Sequence, residues 1–572
     1  MKFLGKKIYI TIVLFAIFFS ITTTFSANNQ IKYKSENISN YFLGLVSLNN
    51  NYNKKALKYF KKNKSLKKKH SQFNTEYLKT LVLLDKFDEA FEFSNSIWKE
   101  DELFFETDLL LGLESLQKKN YEEAEKYFER LNQISKHNIF FDNFIGNVLL
   151  AWSEAYKKNK QDSYKYIDKI PEKYKQLKLT QNIFLKCYFD DLNVEKSFNK
   201  LINDKNYDFS RYNFFLINYL LHNKKNHEAG KIIKNSRKAS ESNLLIKQTE
   251  DFFFSGNVKK IQNFFNCKNP QDSLGELFYV IANLYANDKD YKMSNFYLKI
   301  SLLLNKNFLS NKALLAENYY YQNKYKESKN TYKDVKVIGP MYSWYASKSM
   351  AAILIDEKGS EFAIQTLESE FNSLPNKNFE HHYELANFYK NNNLFEKSIK
   401  HYSLALSEID SEHFLVSKIL GRRGASYERI DDWKKAEKDL LKSLEILPNQ
   451  AHTLNYLAYS WVDKGINLDK AFKMLKKATK LKENDGYIID SLGWAYYKNK
   501  NYKEAEFYLQ RAVELMPSDP IINDHYADVL WALNKNIQAR YFWKYILELK
   551  DIKKNLKDSV NKKIMSGPSE QL

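Results

Sequence analysis

Three windows near the C-terminal end of the chain combine aromatic side chains with Asn, Asp and His at matching positions. Each window is centred on a small residue, namely Ala458, Gly493 or Ala527. The matching positions lie three and two residues before it, and one and four residues after it. Rigid aromatic rings give a large contact area at low entropic cost, and carboxylates accept hydrogen bonds or pair with cations. Such a set predicts non-covalent recognition of a partner. The candidate binding residues are Asn455, Tyr456, Tyr459, Asp490, Trp494, Tyr497, Asp524, His525, Asp528 and Trp531.

The charges at these positions indicate the kind of ligand. The residues at these positions that carry a full charge are acids, and Arg422, two residues before Gly424, is a cation at an equivalent offset. A neutral or basic peptide segment is therefore the expected ligand. The alternative interpretation is that Trp494 and Trp531 only pack against the adjacent helix.

Residue patterns for catalysis are missing from the sequence. It contains no G-x-S-x-G, no G-x-x-x-x-G-K-[ST] and no H-E-x-x-H. His381 and His382 are adjacent, so their side chains diverge on a helix and make a poor metal pair. We expect these two to be ordinary surface histidines. We therefore predict a non-enzymatic protein with no catalytic residue, no cofactor and no metal.

The candidate residues belong to elements that recur along the chain. Small residues return at steps of about 34, and a second small residue usually follows each one twelve positions later. Apolar residues between them are spaced by three, four and seven, which is the period of a helix. The first-helix positions, all of them small except Leu78, are Gly44, Leu78, Gly112 and Gly146, then Ala282, Ala316, Ala351, Ala386, Gly424, Ala458, Gly493 and Ala527. In the weaker middle part, Ser197, Ala229 and Ile261 are read as second-helix positions, which makes fifteen predicted helix pairs.

The fourth pair departs from this pattern. Lys158 stands twelve residues after Gly146, where a small residue is expected. Ser163 is the substitute candidate, after a longer turn.

The stretch GYIIDSLGWAYYKNKNYKEAEFYLQRAVELMPSDP, residues 486–520, resembles a tetratricopeptide repeat (TPR), with its small, aromatic and proline positions in phase. The resemblance implies an all-α solenoid, a superhelix of stacked antiparallel helix pairs whose first helices line an inner groove for a protein or peptide partner. The segment from Leu454 to Leu549 also looks like the C-terminal part of a class of exported bacterial repeat proteins. That likeness implies a cell-envelope setting.

The domain organisation follows from the series of recurring small residues, which we call the ladder, and from its interruptions. We expect a signal peptide or anchor at 1–27, an N-terminal repeat array at 35–171, degenerate helical repeats at 172–269, a C-terminal array at 270–550, and an end helix with a disordered tail at 551–572. The segment Asn269–Ser273, which contains Pro270, is the predicted seam between arrays.

The N-terminal residues have the layout of a secretory signal. Lys2, Lys6 and Lys7 precede the uncharged apolar run Ile8–Ile21, and small polar residues follow. The segment is read either as a cleaved signal peptide or as a retained inner-membrane anchor. Both interpretations place the protein in the periplasm or cell envelope.

The two cysteines, Cys187 and Cys267, are 80 residues apart, which exceeds two repeat periods. Because each repeat of a solenoid touches its neighbours, we expect two separate, mostly buried thiols.

The net charge of +20 raises the question of a polyanionic partner. The basic residues are mostly Lys and are scattered beside Asp and Glu, as on solvated helix faces. We therefore expect no nucleic-acid partner.

The sequence as a whole predicts a protein-interaction scaffold of the bacterial cell envelope. The alternative is an accessory protein for polysaccharide or outer-membrane assembly or secretion, because aromatic-lined grooves also suit sugars. The oligomeric state stays open.

Overall fold

The computed structural model describes residues 35–68, 70–134, 143–204, 206–239, 243–374, 376–549 and 552–568. Within these ranges the chain forms 31 α-helices and no β-strand. The predicted all-α fold is therefore confirmed. The proposed signal or anchor segment, 1–27, lies outside the described residues. No helix in the described ranges is both long and apolar enough to cross a bilayer.

Thirty helices precede the end helix, as fifteen predicted pairs require. The first fourteen are α1 (Ser35–Asn49), α2 (Asn53–Lys62), α3 (Ser71–Leu83), α4 (Phe87–Ile97), α5 (Phe105–Gln117), α6 (Tyr121–Ile134), α7 (Ile145–Tyr156), α8 (Lys160–Asp168), α9 (Lys175–Tyr188), α10 (Val194–Ile202), α11 (Tyr212–His222), α12 (Asn226–Ala239), α13 (Leu244–Phe254) and α14 (Val258–Phe264). Short 3-10 helices span Lys64–Lys68 and Glu172–Tyr174.

The remaining helices are 11 to 19 residues long, and those from α20 onward are each 13 or 14 residues long. They are α15 (Pro270–Asn287), α16 (Tyr291–Leu304), α17 (Asn311–Tyr321), α18 (Tyr325–Lys336), α19 (Pro340–Lys358), α20 (Ser360–Asn372), α21 (Phe379–Asn391), α22 (Phe395–Glu408), α23 (Leu415–Glu428), α24 (Trp433–Ile446), α25 (Ala451–Asp463), α26 (Leu468–Leu481), α27 (Gly486–Lys498), α28 (Tyr502–Leu515), α29 (Pro520–Ala532), α30 (Asn536–Glu548) and the end helix α31 (Lys554–Ser566).

The small residues of the ladder lie where the two helices of a pair touch. Gly493 of α27 faces Leu509 of α28, and a Cβ at Gly493 would come within 2.6 Å of Leu509 Cγ. The partner position, Ala505, is fully buried. A larger side chain at either position would hold the helices apart. The recurring small residues of the sequence therefore mark where the two helices approach closely.

The turn inside a pair has a constant geometry. The residue seven positions after the first-helix small residue has a left-handed backbone in most repeats, with φ of 63° at Asn51, 62° at Lys119 and 59° at Lys500. This conformation ends the first helix and turns the chain back along the second helix. The same positive φ recurs whether the residue is Asn, Asp, Lys or Gly, so the repeat geometry sets it.

The register of the fourth pair differs from the ladder. Lys158 is the left-handed turn residue, with φ of 64°. Seven residues before it, Ala151 is fully buried in α7, and Ser163 is fully buried in α8. Gly146 instead faces Asn132 and the backbone of Phe128 in the preceding helix. The small pair is therefore Ala151 with Ser163, across an ordinary turn, and the assignment of Gly146 was wrong.

The middle repeats are only partly in the predicted register. Ala229 and Ile261 are fully buried at their predicted second-helix positions. Ser197 is only partly buried, and Phe198 beside it fills the interface with 1% exposure. The large ring of Phe198 therefore takes the core position that was predicted for Ser197.

Helices that are distant in sequence also touch in the first part of the chain. α3 packs against α16, while α7 and α9 pack against α15. Lys299 Nζ lies 2.5 Å from Asp85 Oδ2, and Lys292 Nζ donates to Asn49 Oδ1 at 3.0 Å. The array therefore returns to contact its own early repeats.

These long-range contacts explain why the two cysteines lie close together. Cys187 and Cys267 form a disulfide, with Cα atoms 5.9 Å apart. The expectation of two separate thiols is wrong, because it assumed that repeats touch only their neighbours. Lys268 Nζ joins the same contact, since it donates to the carbonyl oxygen of Tyr188 at 2.9 Å and pairs with Asp190 at 2.5 Å.

The chain divides into two compact units, one ending at Glu357 and the other beginning at Lys358. The predicted seam at Asn269–Ser273 lies inside the first unit, where Pro270 begins α15. One continuous apolar cluster runs through this unit from Leu48 to Tyr319. A proline at the first position of a helix starts that helix without separating what packs on either side, and the seam stays a prediction of the sequence.

We predict that Gly493→Leu destabilises the second unit by roughly 1–3 kcal/mol, because its side chain must displace Leu509 from a packed helix pair. Chemical denaturation followed by circular dichroism measures the free energy of unfolding. Lys503→Leu, on the exposed face of α28, is the control and should change that energy little. Equal stability of Gly493→Leu and the wild type would contradict the packing described above.

Candidate functional site

The first helices of the last three pairs line one groove in the second unit. Their inner faces, with the end of α23, enclose a cavity of about 350 Å³. Five predicted residues line it, namely Asn455, Tyr456, Tyr459, Asp490 and His525. The structure adds Glu428, Arg429, Ser460, Tyr487, Ser491, Asp519, Ile521 and Ile522.

Carboxylates at the helix starts fix where two of these helices begin. The Asp485 side chain accepts a hydrogen bond from the backbone N–H of Ile488 at the start of α27. Asp519 Oδ1 accepts from Ile521 N at 2.9 Å and from Ile522 N at 3.1 Å at the start of α29. Such caps satisfy amide groups that the helix itself leaves unpaired. They hold the inner faces of α27 and α29 in place along the groove.

Neutral hydrogen-bonding groups form one wall of the groove. Tyr456 donates its hydroxyl to Glu428 Oε2 at 2.7 Å. Burial and the nearby Asp490 carboxylate raise the pKa of Tyr459 well above its usual range, so this phenol stays protonated. Asn455 Oδ1 is buried and has no hydrogen-bond partner among the described residues. A buried acceptor of this kind is costly unless a ligand donates to it.

An ion pair crosses the groove floor. His525 Nδ1 lies 2.9 Å from Asp490 Oδ1 and 3.1 Å from Oδ2. Burial alone would lower the pKa of His525, but the Asp490 carboxylate, together with the charges of Asp524 and Asp528, more than offsets burial, and the net effect raises that pKa. The negative charge of Asp490 is thereby compensated inside the protein, which leaves this part of the floor close to neutral.

Trp494 and Tyr497 lie beneath this pair and do not line the cavity. The Trp494 ring stacks on His525 at 4.0 Å between centroids, with 15° between the planes, and on Tyr497 at 4.7 Å. Tyr497 is 6% exposed. The alternative interpretation, packing against the adjacent first helix, therefore describes Trp494. Its ring supports the imidazole that faces the groove.

The end helix α31 and the residue after it contact three of the predicted residues, namely Asp524, Asp528 and Trp531. Lys563 Nζ lies 2.9 Å from Asp524 Oδ2 and 2.7 Å from Asp528 Oδ2. Burial and the neighbouring Asp524 raise the pKa of Asp528 to about 6, against the opposing effect of Lys563. Trp543 Nε1 donates to Asp524 Oδ1 at 3.0 Å, and the Trp531 ring contacts Gly567 just after α31.

The chain itself therefore occupies this part of the predicted surface. Counting along a repeat could not reveal the contact, because α31 lies beyond the last repeat and returns over its inner face.

Sequence reasoning missed the groove residues at helix ends. Glu428 and Arg429 end α23, whereas Tyr487 and Asp519 lie at the starts of α27 and α29. The four offsets around each small residue sample only the middle of a first helix. An additional offset six residues before the small residue would have found Tyr487.

The adjacent histidines diverge, but they are not surface residues. His381 is 3% exposed and His382 is 8% exposed, which corrects the prediction. His382 Nδ1 lies 3.0 Å from His401 Nδ1, and burial lowers the pKa of His401 to about 4. In the described part of the chain, no group of three or more His, Cys, Asp or Glu residues is arranged to hold a metal ion.

Comparison with known proteins identifies the repeats. Residues 109–138 and 488–519 each match a family model described as tetratricopeptide repeat. A TPR repeat-containing protein of Pseudomonas aeruginosa is 32% identical over 103 residues, which is 18% of this chain and 18% of that relative. Most of the relative's length is therefore unmatched.

Two solved structures are also similar. A thermophilic TPR protein of Thermus thermophilus shares 14% identity, with a TM-score of 0.29, over 32% of this chain and 97% of that chain. A tetratricopeptide repeat protein of Parabacteroides merdae shares 19% identity, with a TM-score of 0.31, over 39% of this chain and 85% of that chain.

We predict that Asp490→Asn costs most stability at mildly acidic pH. Because the folded pKa of His525 is raised, the ion pair contributes fully below the unfolded value of about 6.5 and is lost as pH rises through the folded value. The difference in free energy of unfolding between the wild type and Asp490→Asn should be about 1.5–3 kcal/mol near pH 6 and shrink toward pH 9.

Chemical denaturation across this pH range measures the difference. Asp463→Asn, an exposed carboxylate at the end of α25, is the matched control and should give a small, flat difference. A wild-type advantage that grows with pH would contradict the assigned pair.

Proposed function

We propose that this tetratricopeptide-repeat protein is a non-enzymatic scaffold of the bacterial cell envelope that holds an extended peptide segment of a partner protein. TPR repeats suggest protein–protein interaction in general. The particular site proposed here is the groove of α23, α25, α27 and α29. The observation that carries the proposal is the buried, unpaired Asn455 Oδ1 beside the neutral phenols of Tyr456 and Tyr459.

The chemistry of the groove suits a peptide backbone. An extended peptide offers N–H groups to Asn455 Oδ1 and carbonyl oxygens to the Tyr459 hydroxyl, so both groups gain partners that the folded chain does not supply. The Asp490–His525 pair is already compensated, which favours a neutral stretch at this point. Exposed Tyr487, at 54%, adds apolar contact area at the groove edge.

Partner capture in cells tests the groove. A photocrosslinking amino acid replaces either Tyr487 in the groove or Tyr541 on α30, because the two tyrosines are similarly exposed at 54% and 67%. Position 487 should yield a discrete protein adduct that position 541 does not. The added substitutions Tyr459→Ala and Asn455→Ala should each weaken that adduct about tenfold, as expected for hot-spot residues.

Other results would count against the proposal. Identical adducts from both positions, or an adduct that Tyr459→Ala and Asn455→Ala leave unchanged, would contradict a groove-bound partner. An adduct that contains glycan and no peptide would favour the alternative, an accessory role in polysaccharide assembly. Trp494 is already stacked on two rings of the chain, so we favour the peptide.

The envelope location rests on two observations. The charged start and the apolar run Ile8–Ile21 have the layout of an export signal. The Cys187–Cys267 disulfide is of the kind that persists in oxidising compartments such as the periplasm. An inner-membrane tether through the N-terminal segment is part of the proposal.

Cell fractionation combined with thiol alkylation tests the location. We expect the protein in the periplasmic or membrane fraction, with both cysteines blocked until a reductant is added. A cytosolic protein with two freely alkylated thiols would overturn this part of the proposal. The N-terminal residue of the purified protein distinguishes cleavage from anchoring.

A further inference from the structure

The first helix of the array, α1, exposes an apolar face. Four of its large apolar side chains are each 42–58% exposed, and no charged residue stands between the first and the last of them. At 3.6 residues per turn the four fall within about 140° of the helix circumference. The end repeat of a solenoid needs a polar outer face to stay soluble, so an apolar one indicates a surface that another body covers. The four side chains are Ile38, Phe42, Leu43 and Val46.

Contacts on the other side of α1 show where this face points. Tyr41 packs against Phe73 of the second pair, with 6.2 Å between the ring centroids. A Cβ at Gly44 would meet the ring of Phe60 in α2. Tyr41 and Gly44 therefore face the rest of the array, and the exposed side chains lie on the opposite side of α1. The apolar face belongs to the end surface of the repeat stack.

A concentration of positive charge accompanies this face. Between Glu36 and Glu76 the sequence contains nine Lys and no Asp or Glu. Lysines on a solvated helix are ordinarily interspersed with acids, which this stretch lacks. In the described part of the chain, five of these lysines are exposed and form no ion pair, namely Lys54, Lys55, Lys58, Lys62 and Lys64.

A hydrogen bond places two of the lysines beside the apolar face. Asn63 Nδ2 donates to the carbonyl oxygen of Asn37 at 3.0 Å. Lys62 and Lys64, on either side of Asn63, therefore lie at the start of α1, where the apolar face begins.

The direction of Lys55 follows from an ion pair on the same helix. Lys61 Nζ lies 2.7 Å from Glu89 Oε2 of α4, which marks the side of α2 toward the second pair. Lys55 and Lys62 are about a third of a turn around α2 from Lys61, away from the second pair. They are therefore on the same end of the stack as the apolar face.

We infer that this end surface binds an anionic phospholipid bilayer. The end surface consists of Ile38, Phe42, Leu43 and Val46 of α1 with Lys55, Lys62 and Lys64. The apolar side chains enter the boundary between headgroups and acyl chains, and the lysines bind lipid phosphates. The inference shares only the envelope location with the proposed function and does not depend on the groove.

Charge complementarity favours a bilayer over the other occupants of this surface. The sequence just before α1 carries Lys32 and Lys34, and a second copy would bring another lysine-rich surface, so both would add like charge. An anionic bilayer supplies the opposite charge and an apolar layer together. The run Ile8–Ile21 ends 14 residues before Ser35. When that run is inserted in a membrane, a chain of this length keeps α1 within about 50 Å of it.

A fluorescent label at position 42 of the full chain tests the inference. Phe42→Cys is alkylated selectively by a solvatochromic dye, because both native cysteines are in a disulfide. With vesicles of phosphatidylcholine and about one-third phosphatidylglycerol, we expect a blue shift of its emission and quenching by a nitroxide at headgroup depth. The same label at Ile537, which is 86% exposed on α30, should show neither effect.

Lysine variants of the labelled chain test the charge. The triple change Lys55→Gln, Lys62→Gln and Lys64→Gln should lower the ratio of docked to undocked label about tenfold or more at fixed lipid concentration, since each Lys near an anionic surface contributes about fivefold. The control triple change should lower it little. It replaces three exposed lysines of the second unit, as Lys400→Gln, Lys434→Gln and Lys473→Gln.

Serine variants test the apolar contact in the same way. Ile38→Ser with Val46→Ser should also lower the docked ratio about tenfold or more, because bound area scales with membrane affinity. Ile537→Ser with Tyr541→Ser removes two exposed apolar side chains of α30 and should leave it unchanged. All of the replaced side chains are exposed, so the thermal midpoints should match the wild type, and a lost signal is then not a lost fold.

Three results in vitro would overturn the inference. The first is an equal response to vesicles of phosphatidylcholine alone. The second is a response that persists in about 1 M salt, where the screening length falls to about 3 Å. The third is a label at position 42 that is already shielded before lipid is added, which would show that the chain or a second copy covers the surface.

A photocrosslinking amino acid at Phe42 distinguishes a bilayer from an acidic protein in cells. We expect lipid adducts and no discrete protein adduct. A discrete protein adduct that is lost in Lys55→Gln with Lys62→Gln would overturn the bilayer and assign the surface to an acidic protein. Neither result alters the adduct expected at Tyr487, so failure of this inference and failure of the proposed groove are distinguishable.

Discussion

The close approach of two helices at a small residue is the constraint on which the rest of the structure depends. At Gly493 there is no room for a Cβ beside Leu509, and at Gly112 none beside Phe128. In most pairs that close in this way the turn residue is left-handed, and the inner face of the first helix is set. The side chains that face the groove are therefore positioned by residues that lie between the helices.

The charges on the inner face of the second unit are compensated in two ways. The Asp490–His525 pair is compensated across two repeats, and Asp524 with Asp528 is compensated by Lys563 of α31. Because burial makes an unpaired charge unfavourable, each of these carboxylates needs its partner, and the second pairing also fixes the end helix on the last repeat.

The first unit shows how a repeat array departs from one-dimensional behaviour. Contacts of α3 with α16, and of α7 and α9 with α15, join residues that the repeat pattern places far apart. The disulfide between Cys187 and Cys267 crosses that contact. A covalent link of this kind stabilises chiefly by restricting the unfolded chain, and its long loop makes the restriction large.

By itself, the sequence determined the helices and, in the C-terminal repeats, their pairing and inner-face register, because small residues at fixed spacing leave one way to pack a pair. It therefore placed Asn455, Tyr459, Asp490 and His525 on one groove. Only the tertiary structure decided which charges meet, because Lys563 of α31 lies against Asp524 and Asp528. It also decided that Cys187 reaches Cys267. Local periodicity determines which side chains of a repeat face the groove. Contacts between distant segments depend on how many successive repeats stack on one another.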